Sequence, residues 1–103
     1  MMTKEAVMVA VAAALAAPSE PVRSCGCGRA YVAVCGERAE VNAVAAACRK
    51  AGVLFVRKNY CAASNAIYCG YDNADGRALG KAEAVAKVLN AHGLRCYVDT
   101  QED

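Results

Sequence analysis

The 103-residue chain has no Trp, one Phe, one His and two Pro. With so few large rings, the core cannot rest on aromatic anchors. The sole His, His92, has no nucleophile in view, so no Ser/His/Asp or Cys/His arrangement can be assembled. Its place at a helix end suits a partner of the helix dipole. The longest apolar run, residues 6–17, is too short to span a bilayer. A net charge of +2 does not by itself imply nucleic acid. No phosphate-cradling loop is formed by Gly28-Arg29 or Gly36-Glu37.

What is present is apolar and small. Hydrophobic residues make up 57% of the chain, much of it Ala, which excludes disorder. The length suits one domain with one core. The charge is unevenly spread: residues 1–24 are neutral, 25–64 carry +4 and 65–103 carry −2.

Element order repeats. Residues 31–57 and 67–99 each read as a strand, an Ala-rich helix ended by Gly, and a second strand. Thr3 caps a helix running to about residue 17, stopped by Pro18 and Pro21. Lys4 followed by an apolar run, with Ala14-Leu15-Ala16, also has features of a secretory signal. Glu5 and the Ala-dominated run weigh toward a structural helix. Residues 18–28 form a linker. The pattern then predicts a strand over 29–35, a helix over 37–51 capped by Gly52, and a strand over 53–57. After a loop at 58–64 come a strand over 65–71, a turn with Asp75 as N-cap, a helix over 77–92 ended by Gly93, and a strand over 94–99.

The domain organisation expected is therefore a helix at 1–17, a linker at 18–28 and an α+β domain at 29–103. Right-handed crossovers between paired βαβ units give a four-stranded antiparallel sheet ordered 4-1-3-2, with both helices of the repeat on one face. This arrangement resembles the ferredoxin-like βαββαβ fold. The resemblance covers residues 29–99 and is architectural.

Such a sheet has a second face to be solvated, covered or bound. Alternation assigns Val32 and Val34, then Ile67, Cys69 and Tyr71, then Leu94, Cys96 and Val98 to the core. Tyr31, Tyr68 and Tyr97 then share the other face with Arg95, extended by Leu54 and Val56 or else by Phe55. Three occupants compete for this face: the N-terminal helix, a second copy of the chain, or a ligand. Tyr and Arg on central strands resemble the base-stacking face of RNA-binding RRM domains. The full Arg/Lys-Gly-aromatic signature of that family is absent from residues 31–34 and 67–71. The loop at residues 35–38 likewise lacks the motif of acylphosphatases.

Seven Cys in an odd, unpaired pattern argue against a secreted disulfide framework. Cys48, Cys69 and Cys96 fall on inward positions and read as small apolar residues. Cys25 and Cys27 are the one local pair with a chemical look, but tetrahedral zinc takes four ligands and no second pair exists. No metal or other cofactor is expected. A Cys35–Cys61 contact is compatible with the topology. Residues 72–76 fail as a calcium loop, because Tyr71 and Ala82 would occupy its first and twelfth positions.

The basic doublets Arg49-Lys50 and Arg57-Lys58, with Tyr60 and Arg38, mark where an acidic partner or nucleic acid would bind. The sequence expectation is a non-enzymatic, cytoplasmic protein that binds another macromolecule through a surface, most readily a protein complex. Small single-domain inhibitors of host defence encoded by phages or mobile elements, such as anti-CRISPR proteins, are similar in this general profile. Nucleic-acid binding through the Tyr face is the alternative. A homodimer is a further expectation, a membrane contact is not, and secretion follows only if residues 1–16 are cleaved.

Overall fold

The computed structural model describes residues 1–23, 26–57 and 65–102. The elements are α1 (Lys4–Ala16), β1 (Cys27–Cys35), α2 (Arg38–Ala51), β2 (Phe55–Val56), β3 (Ala66–Asn73), α3 (Arg77–Ala91) and β4 (Arg95–Glu102). Among the described residues the architecture is α+β, with three helices and one four-stranded antiparallel sheet. The strands lie in the order β2-β3-β1-β4, which counted from the β4 edge is 4-1-3-2.

Each helix start has a local cause. Thr3 accepts a hydrogen bond from the Ala6 N–H at 3.1 Å, the cap expected for α1. The Glu40 carboxylate accepts from the backbone N–H of Glu37 at 3.1 Å and of Met2 at 3.0 Å. It closes the first turn of α2 and ties the start of α1 to it.

Asp75 is not the N-cap of α3, contrary to the sequence expectation. Gly76 holds that position with φ 74°, and Ala74 is also left-handed at φ 64°. These two residues wind the turn back on itself and bring Asp72 beneath the helix. Asp72 accepts from the N–H groups of Ala78 at 2.7 Å and Leu79 at 2.9 Å. It is buried, with its charge facing the positive end of the helix.

A second correction concerns α1. It does not cover the far face of the sheet. Its stripe of Val7, Ala10, Val11 and Ala14 is buried in one core with Val41, Val44 and Cys48 of α2, Ala82, Val85 and Leu89 of α3, and Val32 and Ile67 of the sheet. All three helices therefore lie on one side. The start of α1 bonds the first turn of α2 through Met2, and its last turn accepts from the Lys81 amine of α3 at 2.8 Å through Leu15 O. So α1 runs alongside α2 in the same direction and against α3. The linker returns over α3: Val22 N–H donates to Gly76 O at 2.9 Å. A Cβ on Gly80 would lie 1.9 Å from Glu20 O, so the side-chain-free Gly80 leaves the strap its place.

Strand lengths also differ from expectation. β2 is confined to Phe55–Val56, whereas β4 continues to Glu102. At the β4 edge, the Asn90 amide of α3 accepts from Cys96 N–H at 3.2 Å and donates to Cys96 O at 3.3 Å. The outward backbone groups of Cys96 are thus already satisfied.

Candidate interaction surface

Register places the far-face residues in rows. Tyr97, Ala33, Ala66 and Val56 form one row across the four strands. The next holds Asp99, Tyr31 and Tyr68, with Leu54 bonded through its carbonyl to Tyr68 N–H at 3.0 Å. A third holds Gln101, Arg29 and Tyr71. Directly opposite residues share a face, so Val56 and Leu54 lie here, while Phe55 pairs with Ile67 and packs on the core.

Tyr71 was expected inside and is outside, 47% exposed. The cause is a β-bulge: Ala30 pairs with Gly70 but Tyr31 pairs with Tyr68, leaving Cys69 as the extra residue. One inserted residue reverses the alternation, so Tyr71 joins the far face and Asp72 turns toward the helices. Sequence reasoning therefore missed Tyr71 and, beside it, Arg29. The only signal was Gly70 within a strand, which commonly marks a bulge.

The centre of this face is closed and its rim is open. Tyr31, Ala33 and Ala66 are buried, and the Tyr68 ring leans on Tyr31 with centroids 5.6 Å apart at 58°. Tyr31 is thus not the exposed ring that alternation predicted. Tyr97 is 51% exposed and Leu54 60%. Arg29 is exposed, and Asp99 stands in the next row, so the charges near these rings are mixed.

The basic candidates are dispersed. Arg57 donates to Asn42 Oδ1 of α2 at 3.0 Å and lies 5.4 Å from the Phe55 ring centroid, which clamps the short β2 against α2. Arg38 is exposed at the start of α2, away from the tyrosines along the chain and on another layer. Arg95 pairs with Cys35 in the row beyond Tyr97 and Ala33, and it also borders a cleft of about 450 Å³ with Met1, Met2, Glu37, Glu40 and Gly93 at that end of the sheet. There it helps hold the Glu40 carboxyl below its usual range, behind the larger effects of the Met2 and Glu37 N–H groups. Lys58, Tyr60, Cys61 and Cys25 lie outside the described residues.

The described cysteines are free thiols. Burial pushes Cys48, Cys69 and Cys96 up to about 11, so they stay protonated and unreactive at neutral pH. Cys27 donates to Asn73 Oδ1 at 3.3 Å. Among the described residues no three His, Cys, Asp or Glu side chains converge as a metal site, and no helix is long and apolar enough to cross a membrane. Compared with family models, curated proteins and solved structures, the chain matches none.

Proposed function

We propose that the chain is a non-enzymatic binding protein of the inhibitor or adaptor type, built on a ferredoxin-like domain and acting in the cytoplasm. Its far sheet face receives another protein. The observation that carries this reading is the placement of Leu54, Tyr71 and Tyr97 around a closed centre. Three of the large apolar side chains exposed among the described residues stand on this one face. Aromatic residues with few charges are what the middle of a protein interface is enriched in. The free thiols fit a reducing compartment.

Protein is favoured over nucleic acid on two grounds. A base-stacking sheet needs open rings on both of its central strands; β3 offers Tyr71, but Tyr31 on β1 is buried. Backbone phosphates need a concentrated positive field, whereas Arg29 shares this face with Asp99, Arg57 is engaged with Asn42, and Arg95 stands at the end of the face opposite Cys35, near the Glu40 carboxylate.

The test is recovery of partners on tagged full-length protein from host lysate treated with nuclease. A stoichiometric protein partner is expected. It should be lost from a Tyr71→Ser/Tyr97→Ser double variant whose circular dichroism is unchanged. Recovery of nucleic acid alone, released by salt, would overturn the proposal. So would a partner that ignores both tyrosines.

A further inference from the structure

The outer surface of α1 is a second unfilled patch, on the opposite side of the molecule from the tyrosines. Residues 6–17 hold no polar side chain, yet only Val7, Ala10, Val11 and Ala14 of α1 are buried. Val9 is 61% exposed, and Ala12, Ala13 and Ala16 are exposed with it. Helical spacing puts these four on one outward ridge that begins at the exposed Glu5. A helix that is apolar on every side is normally enclosed on every side.

A groove runs beside this ridge, between α1 and α2. Its far part has a volume of about 310 Å³ and is lined by Met8, Leu15, Ala47 and Ala51, with Lys50 among them. Its near part continues along Lys4, Ala39 and Ala43. Ridge and groove of like chemistry thus lie side by side along one helix. That is the requirement for an isologous contact, in which the same patch serves both copies.

We propose that α1 is a self-association surface, through which two copies of the chain pair antiparallel with the ridge of each in the α1–α2 groove of the other. The charges favour this pairing. Glu5 opens the ridge, and Lys50 stands at the far end of the groove near Leu15. Antiparallel pairing brings each Glu5 to the other copy's Lys50, twice by symmetry. The last turn of α1 has no basic residue of its own. Lys4 of the second copy arrives there, where a cation suits the helix end. A lipid surface is the poorer occupant, because Ala side chains bury little area each and insert weakly. Small side chains instead let two helices approach closely. A helix of 13 residues is only about 20 Å long, so the contact lies at the small end of specific interfaces and the dimer is weak and reversible.

Sedimentation velocity of the full chain over a dilution series tests this. A monomer–dimer equilibrium is expected. Ala12→Glu, on the exposed ridge, should weaken it at least about tenfold with circular dichroism and melting unchanged. Glu5→Lys should also weaken it, and adding Lys50→Glu should restore it. A chain that stays monomeric at every concentration overturns the proposal, as does a dimer indifferent to Ala12→Glu. Failure of the double charge exchange to restore association overturns the antiparallel pairing. Co-sedimentation of a non-dimerising chain with phosphatidylserine vesicles, lost in Ala12→Glu, assigns the ridge to lipid and also overturns it.

Discussion

The two βαβ halves agree in element order and differ in how their helices are held. α2 is fastened by groups close in sequence or on its own surface: Glu40 in its first turn, Gly52 at its end, and Asn42 toward Arg57. α3 is fastened from a distance. Asp72 reaches it from β3, and the strap at residues 20–22 crosses Gly76 and Gly80. A repeated pattern of strands and helices therefore does not imply repeated anchoring. Glycines and carboxylates that serve the two helices should respond unequally to the same change.

The glycines give the largest contrast. A Cβ at Gly76 would lie 1.7 Å from Val22 O, while one at Gly52 meets nothing within 4 Å, although both have φ 74°. Gly76→Ala should cost about 3 kcal/mol or more, since strain and a backbone clash add, and Gly52→Ala about 1 kcal/mol from strain alone. Urea melts of the two variants measure the difference. Equal costs would mean that the strap yields freely and does not anchor α3.

The carboxylates come next. Asp72→Ala leaves two N–H groups of α3 unsatisfied in a buried place and should cost about 2–3 kcal/mol. Glu40→Ala, at a more open helix start, should cost about 1 kcal/mol. Burial raises the Asp72 carboxyl, but the hydrogen bonds it accepts from the backbone N–H groups of Ala78, Leu79 and Arg77 outweigh it and the net shift is down. Glu40 is lowered chiefly by the Met2 N–H. For a lowered carboxyl, the stabilisation is complete above its ordinary value, 3.8 for Asp and 4.5 for Glu, and is lost as pH falls through the folded value. Acid titration of stability should therefore flatten more in Asp72→Asn than in Glu40→Gln. The reverse order would place the main anchor in the first half.

Arg57→Ala is the smallest change. Its contacts with Asn42 and Phe55 are exposed, so a loss of about 0.5 kcal/mol is expected. Amide exchange at β2 would sharpen the contrast by quickening there while β4 stays unchanged.

How far the sequence reached follows from the same asymmetry. Apolar periodicity and terminal glycines show the helices, and alternation shows the strands, because those signals are local. The Asp72 cap was hidden, since it depends on two left-handed residues that set Asp72 under a helix beginning five positions later. The bulge at Cys69 was hidden because one extra residue leaves no mark except Gly70, and it moved Tyr71 to the other face. The site of α1 was hidden for a different reason. A helix without a polar side carries no code for which surface it should cover.

The amide of Asn90, described above as satisfying Cys96, has a consequence for growth of the sheet. An eight-residue edge strand is a template on which another chain can extend the same ladder. Here the ladder meets a side chain already folded into its next rung. A newcomer must evict the Asn90 side chain from the backbone of Cys96 before it can align along the whole of β4, so a polymer seeded at this edge starts with a defect.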